Sequence, residues 1–486
     1  MSKILSLDAF ELGAEIKKRN VSVKEATQAV LSAIEQKDKD INSFITICKQ
    51  SALLQAEEIQ KKIDGSEIDS PLAGVPTAIK DNICVDGERT TCASKMLENF
   101  ISVYDASAVT ALKSAGCPIV GKLNMDEFAM GSTSETSFFG AVKNPHDLTK
   151  VSGGSSGGAA AAVAAEIVPF TLGSDTGGSV RQPASFCGVT GFKPTYGKVS
   201  RWGLIAYASS LDQIGPVAKT AYDCALITDQ ISGLDKKDST SFATEKVTPC
   251  LTSNVKGMKI ALPEQCFNNK SLNSEVKAAV IKTAETLEAA GAEIEWIKLP
   301  FIDYVIPAYY ILAAAEASSN LSRFDGVKYG FHPDDCKDIS DLYLKARTQG
   351  FGAEVKKRII LGAFVLSSGY YDAYYLKALK AKTLIKNKFD EIFTSFDAVL
   401  CPTAPSSAPK LGDSLSDALA MYLSDVFTVP VNLAALPAVS VPCGFDSENM
   451  PIGAQIIGAA KNDGTVLNIA HTFQQLTDFH KRRGRV

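Results

Sequence analysis

The sequence predicts an α/β protein, because segments with helical periodicity alternate along the chain with short apolar segments typical of strands. The clearest example lies between Met258 and Ile297. A strand-like segment at 258–263 is followed by an amphipathic helical stretch at 274–291 and an alternating strand at 293–297. A strand, a helix and a strand of these lengths indicate a βαβ unit. With 486 residues, the chain can also bury a large core.

The N-terminal part is predicted to be helical. Ala26, Val30 and Ile34 recur at four-residue spacing within residues 7–36, as on one face of an amphipathic helix. A second helical stretch is predicted from 41 to about 66. The other elements predicted in this way are helices at 109–116, 159–165 and 464–476 and strands at 118–122, 397–405, 436–442 and 451–457.

Two further expectations concern the ends of elements. Ser274 is the predicted N-cap of the helix at 274–291, because a serine hydroxyl can accept a hydrogen bond from a free N–H of the first turn. The basic residues 480–485 close the chain, and we expect them to form a frayed, solvated end.

Composition excludes several classes of function. The 50 basic and 54 acidic residues give a net charge of −4, so the chain as a whole does not attract nucleic acid, and any RNA is expected to be held mostly by another chain. No segment approaches the ~20 apolar residues of a membrane span, and the N-terminus lacks a signal-peptide pattern, which together predict a cytoplasmic protein. The eleven cysteines form no C-x-x-C pair and are expected to be reduced and buried, without a disulfide framework or a metal site.

The most informative stretch contains two glycine-rich turns, Gly153–Gly158 and Asp175–Ser179, each with a serine among glycines. Glycine lets other atoms approach the backbone closely, so such turns can present N–H groups to an oxyanion. The first turn lacks the Gly-Lys-Ser/Thr ending of a phosphate-binding loop, which argues against nucleotide binding there. It also fits the G-x-S-x-G nucleophile elbow, but an elbow follows a buried strand, and the preceding residues 143–150 are polar and contain proline.

A serine nucleophile needs a base to take its proton. The usual base is histidine, but the four histidines of this chain have no acidic partner in an obvious motif. Lys80 stands at the end of the short apolar run that begins at Gly74. A lysine acts as a base only when burial or a positive neighbour lowers its pKa, and the apolar approach to Lys80 suits such a role.

These three segments, in this order, closely resemble the amidase signature family. In that family the GGSSGG turn supplies a serine held by a cis peptide, the GGS turn supplies the nucleophile, and a lysine before Asp-Asn is the base. Carried over by motif, the resemblance implies that Ser179 is the nucleophile, Ser155 relays its proton and Lys80 accepts it. The oxyanion hole is then expected from the backbone N–H groups of Thr176, Gly177, Gly178 and Ser179.

The resemblance covers nearly the whole chain and implies a mixed central sheet sandwiched by helices, in one domain spanning 1–486. The signature core is expected at about 62–222, after N-terminal helices at 1–61 and before a substrate-recognition and C-terminal part at 223–486. Within the signature, Arg181 has two candidate roles, a substrate clamp or a brace that pairs with a carboxylate such as Asp175. Bracing is the favoured role.

Residues 124–135 and 307–326 resemble one branch of the family in particular, the glutamine-hydrolysing subunits of tRNA-dependent amidotransferases. This likeness implies that residues 124–135 line the pocket, that Tyr309 reaches it, that Arg358 holds the α-carboxylate of glutamine and that Asp425 pairs with its α-ammonium. Taken without the family, the segment around Arg358 is typical of a basic, solvated helix face. An arginine and an aspartate together match the two opposite charges of a free amino acid.

The branch implies that the chain hydrolyses glutamine and supplies ammonia for converting Glu-tRNA(Gln) to Gln-tRNA(Gln). Its expected partners are subunits B and C of a heterotrimer, and Glu-tRNA(Gln) is expected to be held mainly by a partner. No cofactor is expected in this chain, whereas ATP and Mg²⁺ are expected on the partner that activates the tRNA-bound glutamate. Two alternatives stay open, a free-standing amide hydrolase of the same fold and a non-catalytic scaffold subunit.

Overall fold

The computed structural model describes residues 2–300, 302–416 and 418–484. Its strands are β1 (Phe44–Ile47), β2 (Thr77–Lys80), β3 (Ile119–Leu123), β4 (Lys143–Asn144), β5 (Asp147–Val151), β6 (Phe170–Asp175), β7 (Thr190–Lys193), β8 (Gln213–Ala218), β9 (Lys259–Pro263), β10 (Glu293–Ile297), β11 (Ala398–Pro402), β12 (Ala438–Phe445) and β13 (Pro451–Gly458).

Helices occupy most of the remaining regular structure. They are α1 (Ser2–Ser6), α2 (Ala9–Lys17), α3 (Val23–Ile41), α4 (Lys49–Asp64), α5 (Ser107–Ser114), α6 (Gly157–Ala164), α7 (Arg181–Cys187), α8 (Ala221–Ile231), α9 (Glu264–Phe267), α10 (Ser274–Ala289), α11 (Ile302–Asn320), α12 (Ile339–Gly350), α13 (Ala353–Val365), α14 (Lys377–Ile392), α15 (Asp413–Ser416), α16 (Ala418–Leu423), α17 (Val429–Leu433) and α18 (Asp463–Leu476).

Eleven of the described strands form one mixed sheet in the order β1-β3-β2-β6-β8-β7-β12-β13-β11-β9-β10, and β4 and β5 form a separate hairpin. The pairs β2–β3, β2–β6, β9–β11 and β9–β10 are parallel, and the other pairs of the large sheet are antiparallel. The predicted βαβ unit is confirmed as β9–α10–β10. The sheet draws strands from both the predicted signature core and the C-terminal part, which favours the single-domain prediction.

Helices cover both faces of this sheet. Successive side chains of a strand point to opposite faces, so two neighbouring residues of one strand show which helices lie on each face. In β2, Ala78 packs into a core built with α3 and the alanine-rich α6, whereas the next residue, Ile79, packs into the larger core that also contains α8. The predicted sheet between helical layers is therefore confirmed.

The N-terminal prediction needs two corrections. Residues 7–36 form two helices, since the Ser22 hydroxyl accepts a hydrogen bond from the N–H of Glu25 and begins a new helix, α3. The predicted helix from 41 to about 66 is interrupted, because Asn42 ends α3 in the left-handed conformation (φ 61°) and the chain enters β1 before α4. β1 then pairs with β3 at the sheet edge.

Two predictions about element ends are also wrong. Asn273, not Ser274, caps α10, since the Asn273 side chain accepts the N–H of Glu275 at 2.7 Å. The basic tail is held by the body of the protein as far as Gly484 instead of being frayed, and residue 485 lies outside the described residues. Arg483 Nε lies 3.2 Å from Oε1 of Glu166, and the N–H of Gly484 donates to a carbonyl at the end of α6.

Candidate active site

Lys80 ends β2, the third strand from one edge of the sheet, and is completely buried. Its Nζ lies 2.7 Å from Oγ of Ser155, 2.8 Å from Oγ of Ser156 and 3.1 Å from the carbonyl oxygen of Ser174. The structure therefore brings together the predicted base and the predicted relay serine. Asn82, two residues later, donates to Oγ of Ser174 and ties this motif to the end of β6.

Burial lowers the pKa of Lys80 to about 7, although the carboxylates of Asp126, Asp175 and Asp212 act in the opposite direction. No carboxylate forms an ion pair with Lys80 among the described residues; its three nearest polar partners are neutral. A buried amine with neutral partners loses its hydration without gaining a counter-charge, so the neutral form is stabilised. Lys80 can thus accept a proton near neutral pH.

The first glycine-rich turn lies between the hairpin β4–β5 and α6. The peptide bond between Gly154 and Ser155 is cis, as the family resemblance implies. The N–H of Gly154 donates to Oε1 of Gln182, and the N–H of Ser156 donates to the carbonyl oxygen of Ser179 at 3.0 Å. The two turns are therefore joined through their backbones. The strand that precedes the turn belongs to the small hairpin, which is consistent with rejecting the nucleophile elbow.

Ser179 lies in the second turn, between β6 and α7, and is 7% exposed. Among the described residues, no hydrogen bond joins its hydroxyl to that of Ser155, so the relay is complete from Ser155 to Lys80 but not from Ser179 to Ser155. Hydrogen bonds of a catalytic group are often absent before substrate binds.

The second turn is braced by a buried ion pair. Arg181 Nη2 and Nε lie 2.9 and 3.0 Å from the two carboxylate oxygens of Asp175, and both side chains are inaccessible to solvent. Burial would raise the pKa of Asp175, but the Arg181 guanidinium outweighs it and holds that pKa below its usual value. Arg181 also donates to Asn432 and Gln455. The bracing role is confirmed, and its donors are not directed at a substrate.

One predicted oxyanion donor is occupied. The N–H of Gly178 donates to Oδ1 of Asp175 at 2.9 Å, so Gly178 serves the brace and does not face an oxyanion. The N–H groups of Thr176, Gly177 and Ser179 have no partner within the described chain. These three donors are available to a substrate, and Gly178 is corrected to a structural role.

Gly177 is also the point where α11 meets the turn. A β-carbon at this position would lie 2.7 Å from the hydroxyl of Tyr309, and the Gly177 carbonyl accepts the Thr428 hydroxyl at 2.7 Å. The ring of Tyr309 therefore covers the turn, as the sequence predicts. Only glycine lets the backbone approach the ring so closely.

Arg358 lies on α13 and is 3% exposed, so it is not on a solvated helix face. Its Nε donates to Glu354 at 2.8 Å and its Nη1 donates to the Tyr207 hydroxyl at 2.6 Å. The guanidinium carbon also lies 5.1 Å from the centre of the Tyr310 ring. Tyr310 is the neighbour of Tyr309, which places Arg358 beside the predicted pocket residue.

Asp425 is buried, with one oxygen bonded and the other free. Oδ2 accepts the hydroxyl of Ser132, whereas Oδ1 has no hydrogen-bond partner within the described residues. Burial raises the pKa of Asp425 to about 7, against the opposing effects of Ser132 and the Arg358 guanidinium. A buried carboxylate oxygen without a donor is costly, so Oδ1 of Asp425 is available to a donor group of a bound molecule.

Several residues of this site escape sequence reasoning. Ser132 lies in the segment 124–135 that is expected to line the pocket, but nothing in the sequence marks it individually. Tyr207 and Glu354 hold Arg358, and Asp212 binds the Thr176 hydroxyl at 2.7 Å. Of these residues, only Glu354 could have been found from the sequence, because it precedes Arg358 by four residues, the spacing of an ion pair on one helix face.

Within residues 2–300, 302–416 and 418–484, no group of three or more histidine, cysteine or acidic side chains could hold a metal ion. No helix in the same residues combines the length and apolar character needed to cross a membrane.

Comparison with known proteins identifies the family. The amidase family model matches residues 25–467. The chain belongs to the amidase family. This amidase is similar to the A subunit of glutamyl-tRNA(Gln) amidotransferase from Agathobacter rectalis, with 56% identity over 480 residues that cover 98% of this chain and 95% of the relative. The protein of the same name from Carboxydothermus hydrogenoformans is 50% identical, and the match covers 99% of both chains.

The amidase is also similar to a solved structure. The crystal structure of the corresponding A subunit of glutamyl-tRNA(Gln) amidotransferase from Thermotoga maritima is 41% identical, with a TM-score of 0.78 over 98% of this chain and 94% of the other. The predicted family resemblance is therefore confirmed along nearly the whole length of this amidase.

Proposed function

We propose that this amidase hydrolyses glutamine and supplies the ammonia to a complex that converts Glu-tRNA(Gln) to Gln-tRNA(Gln). The observation that carries the proposal is the free Oδ1 of Asp425, buried in a site that also holds Arg358 and the Lys80–Ser155 pair. The names of the relatives, which are amidotransferase subunits, support the same choice over a free-standing amide hydrolase.

The substrate is held by its two charged groups. The guanidinium of Arg358 would bind the α-carboxylate, and the free oxygen of Asp425 would accept the α-ammonium. A bound ammonium would lower the raised pKa of Asp425 and keep it ionised. Tyr309 would cover the side chain of glutamine above Gly177. A fatty or aromatic amide lacks the α-ammonium and α-carboxylate groups that would pair with these two charges.

The reaction begins when Oγ of Ser179 attacks the side-chain amide carbon of glutamine. Its proton passes to Oγ of Ser155, whose own proton passes to Nζ of neutral Lys80. The negative oxygen of the tetrahedral intermediate would accept hydrogen bonds from the N–H groups of Thr176, Gly177 and Ser179. One such donor contributes about 3 kcal/mol to transition-state stabilisation in comparable enzymes.

Collapse of the intermediate breaks the carbon–nitrogen bond. The departing nitrogen takes a proton back from Lys80 through Ser155 and leaves as ammonia, so Ser179 holds a γ-glutamyl ester. Water then attacks the ester by the same proton path and releases glutamate and free Ser179.

Ammonia is useful only if it reaches its acceptor before it is protonated in bulk water. We therefore assign the chain two partner subunits, B and C, with ATP, Mg²⁺ and Glu-tRNA(Gln) on the partner that activates the acceptor. The net charge of −4 does not attract the phosphate backbone of tRNA, which supports binding of the tRNA by another chain.

The test is Ser179→Ala in the assembled complex. Glutamine-dependent formation of Gln-tRNA(Gln) should be abolished, while formation from ammonium salts should continue at the parental rate, because only the ammonia supply is lost. Loss of both activities would contradict the proposed division of labour. Retention of the glutamine-dependent activity would exclude Ser179 as the nucleophile.

A further inference from the structure

Asp212 is a buried carboxylate that the proposed mechanism does not use. It stands just before β8 and is 3% exposed. Oδ1 accepts the hydroxyl of Thr176 at 2.7 Å, and Oδ2 accepts the N–H groups of Tyr207 at 2.9 Å and Ala208 at 3.0 Å. One carboxylate thus joins two segments that are 31 residues or more apart in sequence.

Both segments lead to the candidate active site. Thr176 belongs to the turn that presents free N–H groups beside Ser179. Tyr207 accepts a hydrogen bond from Arg358 Nη1 at 2.6 Å, and its ring centre lies 5.5 Å from the guanidinium carbon. The carboxylate of Asp212 therefore stands between the donors for the oxyanion and the cation for the substrate carboxylate.

We infer that Asp212 is a positioning residue that fixes the oxyanion turn and the arginine of the substrate pocket relative to each other. This inference rests on the proposed function only for the identity of the substrate. The distance between the reacting amide and the α-carboxylate is constant within one substrate. An enzyme must hold its two binding points at the matching separation, and a 1 Å displacement reduces the rate on the order of 10²-fold.

The contacts of Asp212 explain why a carboxylate suits this position. All three partners are donors, and a carboxylate is acceptor-only, so it can serve both segments at once. An asparagine has one acceptor oxygen and an NH₂ group. The Thr176 hydroxyl can also accept, so in Asp212→Asn the NH₂ can donate to it while the carbonyl oxygen keeps the N–H groups of Tyr207 and Ala208. In Asp212→Ala both segments lose their anchor.

The experiment measures how fast Ser179 reacts with a fluorophosphonate in the full chain assembled with its partner subunits. In this reaction the Ser179 oxygen bonds to phosphorus, fluoride leaves, and the Ser179 proton passes through Ser155 to Lys80. The phosphonyl oxygen occupies the oxyanion position, whatever the natural amide is. Asp212→Ala should slow labelling about 10- to 100-fold, the range expected for a misplaced donor turn, and Asp212→Asn should stay near the parental rate.

Two single substitutions test the two segments separately, one at the oxyanion turn and one at the hydroxyl that holds Arg358. Thr176→Val should slow labelling and lower kcat for glutamine while KM stays constant. Tyr207→Phe should raise KM for glutamine and leave labelling by the probe, which has no carboxylate, unchanged. Combined with Asp212→Ala, Thr176→Val should add less than its own effect, because both changes break the contact between Asp212 and the Thr176 hydroxyl.

Asp223 provides the matched control. It is buried, burial raises its pKa to about 7, and it accepts a hydrogen bond from the N–H of Phe10 in the N-terminal segment. Asp223→Ala should leave labelling and KM at the parental values in the folded fraction, measured by thermal unfolding.

Parental labelling rates in Asp212→Ala, or equal losses in Asp212→Ala and Asp223→Ala, would overturn the positioning role. Failure of the parent to consume glutamine would instead refute the proposed function. The labelling ratio between parent and Asp212→Ala would still decide the role of Asp212.

Discussion

The proton path makes a quantitative prediction about pH, because Lys80 can accept a proton only in its neutral form. Burial places the pKa of Lys80 at about 7. One pH unit below this value about a tenth of the lysines are neutral, so Ser179 should react about tenfold more slowly than on the alkaline plateau. An unperturbed lysine, with a pKa near 10.5, would still be mostly protonated at neutral pH.

The assay is the rate of Ser179 labelling by a fluorophosphonate as a function of pH. The probe carries neither an ammonium nor a carboxylate group, so the titration of Asp425 does not affect its binding. Lys80→Met should react slowly at every pH, without the rise near 7. The matched control is Lys219→Met, since Lys219 is also buried, with its pKa lowered to about 8 by burial, but donates to carbonyls of the N-terminal segment. A rise near pH 7 that persists in Lys80→Met would refute the reasoning.

The same pKa shift affects stability. Between pH 7 and 10.5 the unfolded chain keeps its proton on Lys80 while the folded chain does not, so Lys80 makes the free energy of unfolding rise with pH in this window. The full shift corresponds to roughly 5 kcal/mol at most. Denaturant unfolding of parent and Lys80→Met should therefore show a shallower pH dependence in the variant.

Three further substitutions test the pocket and the brace. Arg358→Gln should raise KM for glutamine roughly 10- to 100-fold with little change in the melting temperature. The reason is that a hydrogen bond to a charged group contributes about 1.5–3 kcal/mol. An unchanged KM would show that Arg358 does not bind the substrate. Arg181→Met should lower the free energy of unfolding by about 3–5 kcal/mol, since it leaves a buried carboxylate unpaired. Changing the exposed Lys282 to Met should alter the free energy of unfolding by less than about 1 kcal/mol, with both variants measured by calorimetry. Gly177→Ala should abolish glutaminase activity in a folded protein by pushing Tyr309 away, and normal activity would contradict the close packing at this turn.

The sequence identifies the chemistry better than the geometry around it. The glycine-rich turns and the apolar approach to Lys80 are local patterns, and the fold brings Lys80 and Ser155 to 2.7 Å from each other. The hydrogen bond between Gly178 and Asp175 was not predictable, because it depends on the rotamer that Arg181 imposes on Asp175. A motif names the residues of a turn, but the bonds of each N–H depend on the final backbone.

Long-range contacts account for the other differences. Phe44–Ile47 consists of one aromatic and three β-branched residues, a composition typical of a strand, but it is only four residues long and lies between two helical stretches. The segment becomes β1 by pairing with β3 at the sheet edge. Tyr207 and Asp212 act on the pocket through Arg358 and Thr176, which lie 151 and 36 residues away in sequence. The mixed sheet itself was inferred from the family resemblance, since strand order leaves no local trace in a sequence.

The most direct test of the central claim is the modification of Ser179 by an electrophilic glutamine analogue, followed by intact-mass measurement and peptide mapping. The complex with its partner subunits should carry one adduct, on Ser179, and excess glutamine should prevent it. A glutamine-protected adduct would establish the nucleophile and the substrate together. An unmodified Ser179 in the assembled complex, or an adduct that glutamine does not prevent, would contradict the glutaminase assignment.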